Sequence, residues 1–407
     1  MKPEWRSNTI ATPRARDCEG SAPENAWLTG SIQVSLAFCL VQFAEEPGIK
    51  VTEAARIRLT HPTRKPMRLR SRAIVRLFVV LVALLYVADG QNSEVLSLEA
   101  HIALPDVKGR IDHFSVDLRG QRLFVAAVEN HTLEVVDLKS ERRVHTISEL
   151  AEPQGVFYDS ATNHLFVACG LDGVTTVFDG DSFRVVATVK FPDDADNIRY
   201  DPRSKSVIVG YAGAKQLRKR ETGTGGLGFI DPNGKKAGDV VIDAHPESFQ
   251  LEKAGSRLFV NVPEKNEIEV LDAAKRSVLA RWPVSAEDNF PMALDEADQR
   301  LFVGVWKPPQ LLVFDTSTGK QVAAREIAGK TDDLFYDSAR HRVYVLTSQD
   351  YIEVFEQKDA DQYERIARYP TPSRSQTGLF VPAWGKLFVA VPAQNDKSAE
   401  IRVYQAR

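Results

Sequence analysis

Hydrophobic residues in this chain fall into short runs separated by turns rich in Gly, Asp, Asn and Ser, and one run recurs along the sequence. It reads Arg-Leu-Phe-Val or a near variant, anchored on Phe124, Phe166, Ile208, Phe259, Phe302, Tyr344 and Phe388. The intervals between anchors are 42, 42, 51, 43, 42 and 44 residues. In the first unit an apolar run at 114–117 leads through a polar turn to the anchor run, followed by runs at 133–137 and near 144–147. Short β-branched and aromatic runs bounded by turn formers are strands joined by hairpins. A period in the low forties with four such strands marks a β-propeller blade. Seven copies predict an all-β, seven-bladed β-propeller over residues 91–407.

The chain stops at Arg407, directly after the third run of the seventh unit, so that blade lacks its outer strand. A lone strand-like run at 94–104 precedes the first unit. If it supplies the missing strand, the ring is sealed without an open edge.

Upstream, residues 67–90 have the three-part layout of a secretory signal. A basic segment begins at Met67, an unbroken apolar run of twelve spans 77–88, and Ala88 and Gly90 are the small residues a signal peptidase reads. Twelve apolar residues fall short of the roughly 20 that span a bilayer. The expected product is therefore an exported protein, periplasmic or at the cell surface, with no membrane span after cleavage. Residues 1–66 show no blade pattern and read as an extension from an upstream start. Removing 1–90 leaves 39 basic and 47 acidic residues, a net charge of −8. That balance argues against a nucleic-acid partner, because phosphate binding rests on Lys and Arg. Only Cys169 would remain, so no intrachain disulfide could form.

The strand–turn–strand phrase of residues 116–126, with Glu134-Val135-Val136-Asp137 after it, resembles the YVTN-type propeller repeat of YncE-like exported proteins. Here Leu-Phe-Val stands where the repeat's name has Tyr-Val-Thr-Asn. The resemblance covers about residues 95–407. It implies the propeller fold and export, and a range of activities: related propellers include lactonases and subunits of cofactor-bearing amine dehydrogenases.

Acidic residues recur at two positions with different meanings. Asp117, Asp159, Asp201, Glu252, Asp295 and Asp337 each lie seven residues before an anchor, where an acid caps the turn between the first two strands. That repetition reads as geometry. Five residues earlier the repeat breaks, giving Asp112, Gln154, Asp196, Glu247, Phe290, Asp332 and Thr377. These positions precede the innermost strand and should ring one mouth of the channel, with His113, Asn197, Asn289, Asp333 and Gln376 as neighbours and Arg199 one step deeper. Two residues inward from that ring every blade is apolar, which marks inter-blade core. Trp306 offers an aromatic platform over the same face, and four cations with a glycine run at 213–228 read as a loop.

Three readings of the mouth stand: a wide polar channel filled with water, a cation site, and a catalytic site. Oxygen-rich, variably spaced ligands suit Ca²⁺, with Asp196, Glu247 and Asp332 as the donors. His113 beside Asp112 fits either a carboxylate-oriented general base or a loop hydrogen bond. His245 stands on the same rim in blade 4. Without a nucleophile motif or His-rich spacing, the expectation is a binding or scaffold protein for a small ligand, a glycan or a protein partner. The alternatives are a metal-dependent lactonase-type hydrolase and a subunit of a periplasmic redox complex.

Overall fold

The computed structural model describes residues 94–213 and 224–407. The expectations for residues 1–93, signal included, and for the cations at 215–220 lie outside the described residues. Seven four-stranded antiparallel sheets follow one another along the chain. The innermost strand of each blade touches that of the next, and the seventh (Gly378–Val381) touches the first (Ile111–Asp117), so the ring is complete. Among the described residues no helix is long and apolar enough to cross a membrane.

Each anchor strand is apolar on successive residues because both of its faces are covered. In blade 1, Phe124 packs with Val156, Leu165 and Val167 of blade 2, while Leu123 and Val125 pack with Phe388 and Val403 of blade 7. All seven anchors are at most 2 % exposed. Outer strands have a free edge and one wet face, so they carry exposed apolar residues such as Val144, Val185 and Val241. The position two residues inward from the mouth is core as expected, from Phe114 to Leu334, with Leu379 half-buried against the cluster that joins blades 1 and 7.

The turn acids do what their repetition implied. Asp117 accepts the backbone N–H of Arg119 and Gly120, and Asp295 those of Ala297 and Asp298. Asp159, Asp201 and Asp337 cap in the same way, and Glu252 accepts the N–H of Arg257. Three residues before the anchor, the left-handed conformation recurs at Gln121, Asn163, Lys205, Gln299 and His341 (φ 52 to 57°), and blade 7 has Gly385 there. In blade 1 the pair Asp117 and Arg122 leaves four residues, 118–121, in the turn, and its last residue is the left-handed one, a four-residue hairpin loop. Arginines that open the anchor strands then tie blades together. Arg122 donates to Gly180 O of blade 2, Arg257 to Thr316 O of blade 5, and Arg300 to Asp361 of blade 6.

Closure follows the expected route. The strand Leu96–Leu104 pairs antiparallel with Ala399–Ala406 and completes blade 7, with a register shift between Leu98 and Ala100. Tyr369 of blade 6 accepts the backbone N–H of both Val95 and Leu96, and Arg407 donates to Val95 O. One expectation is corrected. Gly225, Gly226 and Gly228 are strand and not loop, because Gly225–Ile230 is the third strand of blade 3. Gly228 is required there: a Cβ would lie 2.0 Å from the Phe191 ring.

Deleting residues 91–104 exposes Ile401, Val403 and the edge of the strand that carries them, and should lower the melting temperature sharply; an unchanged melt would show that this strand does not seal the ring. Phe259→Ala should cost about 3–5 kcal/mol, as expected for a fully buried aromatic, read from denaturant titration.

Candidate functional site at the channel mouth

Irregular pairing makes the mouth. In blades 1, 2, 3, 5 and 6 the innermost strand slips register against its neighbour at the same place. The slips fall between Ile111 and Phe114, Pro153 and Val156, Ala195 and Ile198, Asn289 and Met292, and Thr331 and Asp333. A bulge lets consecutive side chains face one direction, where a regular strand would alternate them. This is how Asp112 and His113 both reach the channel. Asp112, Gln154, Asp196, Phe290 and Asp332 therefore sit inside their strands, which corrects the expectation that they precede them. Glu247 and Thr377 do precede theirs.

Six of the seven ring positions, all but Thr377, surround a cavity of about 320 Å³. Of the residues expected from the sequence, Asp112, His113, Gln154, Asp196, Asn197, Glu247, Asp332, Gln376 and Trp306 line it. Arg199 and Asp333 line the adjoining cavity further along the channel, which His113 borders as well. Asn289 does not join them. It is fully buried and donates to Asn261 Oδ1 and Glu267 O, because the bulge turns it into the interface with blade 4. Trp306 stacks face to face on Phe290 (centroids 3.9 Å), and its indole N–H donates to Thr331 O, so one wall is a fixed aromatic plate.

Arg110, Asp194 and Ser248 also line the cavity and were not singled out from the sequence. The first two carried a signal. Arg110, Asp194 and His245 each stand two residues before the ring position of their own blade, the same offset in three units.

The charges form a partly satisfied network. Arg110 donates to Asp112 Oδ2 and to Gln154 Oε1, both at 2.6 Å, and Gln154 donates onward to Asp194. Gln376 donates to Asp332. His113 sits among three carboxylates: Nδ1 is 3.4 Å from Asp333, and Nε2 is 3.9 Å from Asp112 and 4.0 Å from Asp196. Asp333 is itself fixed, since its Oδ2 accepts the N–H of Gly378 in blade 7. Asp196 is held from behind, because Gly155 of blade 2 lies against its backbone; a Cβ there would be 2.0 Å from the Asp196 carbonyl oxygen. Several buried atoms have no hydrogen-bond partner, among them Asp196 Oδ1, Asn197 Oδ1 and His245 Nε2.

Burial and crowding perturb these groups in opposite senses. Burial, reinforced by Asp112, pushes the carboxyls of Asp196 and Asp332 up to about 7. Burial alone would lower the two imidazoles, but it is outweighed by carboxylates. Asp112 and Asp333 push His113 up to about 10, and Glu247 pushes His245 up to about 9. Arg110 is held above its ordinary value, chiefly by Asp112. Among the described residues, Asp112, His113 and Asp196 place one donor atom each within 4.8 Å of one another. Glu247 and Asp332 face the same cavity without joining that cluster.

No protein-family model matches the chain, and no curated protein matches it.

Both kinds of shift make the fold weaker as pH rises. A carboxyl raised to about 7 holds its proton longer folded than unfolded, so stability falls between about 4 and 7. A raised histidine contributes in full below about 6.5, and that contribution is lost as pH passes about 9. The melting temperature should therefore decline from pH 5 to pH 10 in chelator. Asp332→Asn should flatten the lower part of the decline and His245→Gln the upper part, read by calorimetry at fixed ionic strength.

Proposed function

We propose that the protein is an exported, YVTN-type propeller that works by binding a small cationic ligand at the acidic mouth of its channel. The observation that carries this reading is the buried carboxylate of Asp196, 8 % exposed, with Oδ1 unpartnered and turned toward His113. A desolvated carboxylate is costly unless a positive group compensates it. Arg110 and the two histidines answer five lining carboxylates, so the cavity stays acid-rich. A cation bound there would offset the repulsion among these carboxylates. Phe290 and Trp306 stack to form one wall, and the Lys330 ammonium lies 4.5 Å from the Trp306 ring centroid, so this wall accepts a cation. Export is supported by the layout of residues 67–90, and the family by the repeat phrase itself.

A metal-assisted hydrolase is the second reading, and the Asp112–His113–Asp196 cluster favours it. It requires turnover of lactones or esters that disappears in His113→Gln.

The test is a melting-temperature screen of the purified protein against ammonium compounds, divalent cations and neutral sugars. At 100 times its dissociation constant a ligand of the native state adds about 2.7 kcal/mol, a clear upward shift. Cations should raise the melt of the wild type and leave Asp196→Asn unmoved. A shift with sugars alone, or equal shifts in the variant, would overturn the reading.

A further inference from the structure

The mouth contains one arrangement more specific than a pool of negative charge. His113 is gripped at one nitrogen and open at the other. On the Nδ1 side Asp333 lies at 3.4 Å, and its second oxygen is tied to the Gly378 amide. On the Nε2 side stand Asp112 Oδ1 and Asp196 Oδ1, at 3.9 and 4.0 Å. Neither distance is a hydrogen bond. Each is close to twice a metal–ligand bond of about 2.0–2.2 Å, so one ion between the three atoms could touch all of them with small movements. An imidazole held by a carboxylate at one nitrogen while the other faces an ion is the usual outer shell of a metal-bound histidine.

A second observation points the same way. Asp196 is more than nine-tenths buried, and the oxygen it turns toward Nε2 has no hydrogen-bond partner. Buried polar atoms are ordinarily satisfied, and an exception marks a place where a water or an ion is bound or where strain is stored. Asn197 Oδ1, also buried and unpartnered, adds a neutral oxygen to the same cavity.

We infer that Asp112, His113 and Asp196 form a binding site for one first-row divalent transition metal ion, of the Mn²⁺ to Zn²⁺ type, with Asp333 as the positioning residue for His113. This rests on reading the mouth as a cation site and narrows it. The imidazole decides the class. Ca²⁺ takes oxygen donors throughout, whereas one nitrogen with two carboxylates suits the ions of the manganese-to-zinc row. The donors come from blades 1 and 3, which is why no compact metal spacing is written in the sequence.

The experiment is titration of the EDTA-dialysed full-length protein with Zn²⁺, Mn²⁺ and Ca²⁺ by calorimetry, with bound metal counted by mass spectrometry. The expected result is one equivalent of Zn²⁺ or Mn²⁺, bound more tightly than Ca²⁺ and lost in both His113→Gln and Asp196→Asn. Asp333→Asn should keep the stoichiometry, weaken affinity 10–100-fold and alter the Co²⁺ absorption spectrum, which a merely structural role would leave unchanged. Circular dichroism of each variant separates loss of the site from loss of the fold. Tighter binding of Ca²⁺, or full Zn²⁺ binding by a folded His113→Gln, would overturn the assignment. If no metal binds while an alkylammonium such as spermidine still raises the melt, the metal site fails and the cationic mouth stands. If neither binds, both fail.

Discussion

A blade of this propeller cannot stand alone, because its inner strands are apolar on both faces. Phe124 faces blade 2 while Leu123 and Val125 face blade 7, and the same division repeats around the ring. Every sheet must be sandwiched between two others, and only a closed circle provides that for all seven. The pairing of Leu96–Leu104 with Ala399–Ala406 is therefore the contact on which the rest depends. It fills the last sheet and covers the face shared by blades 7 and 1 with Ile102 and Leu104. The arginine straps between blades, such as Arg122 to Gly180 O, act on a ring that this pairing has already closed.

Closure has an electrostatic consequence at the axis. Seven innermost strands converge there, and whatever side chains they turn inward are forced together. The register slips turn pairs of neighbours inward where a regular strand would turn one, so Asp112 arrives with His113 and Asp196 with Asn197. The result is a cavity where burial, reinforced by Asp112, pushes Asp196 and Asp332 up to about 7, and where the carboxylates hold two imidazoles protonated above their usual range. Such a mouth is held in place by packing elsewhere in the ring, at some expense to stability. Gly155 illustrates the coupling: a glycine in blade 2 lets the backbone of blade 3 come close enough to place Asp196 opposite His113.

Two kinds of buried acid show why position in the fold outweighs residue type. Asp117 and its equivalents bond their own turns and contribute geometry. Glu134, Glu269 and Glu353 are fully buried in third strands and are met by arginines from the outer strand of the same blade, Arg143, Arg281 and Arg368. Each of these meets its arginine within one blade, although Glu269 keeps Oε2 without a hydrogen-bond partner. The mouth acids are crowded into one cavity with fewer cations than carboxylates, and that imbalance makes them the place to look for a ligand.

Blade number, strand order, the role of the turn acids and the closing strand were all written in the sequence. They follow from local rules, namely apolar periodicity, turn chemistry and a repeated phase, and a repeat states those rules seven times over. The ring of mouth positions was legible too, as the places where the repeat breaks in phase. What the sequence did not determine was which of those side chains meet. Asn289 belongs to the same set by phase, yet a bulge turns it into the interface with blade 4. Arg110 and Asp194 enter the cavity from two residues upstream. Glu247 and Asp332 looked like the natural partners of Asp196, whereas the donor atoms that cluster with it come from Asp112 and His113, 84 and 83 positions away in the chain. Such contacts depend on strand register and on the curvature of a closed ring, and neither is a property of any single blade.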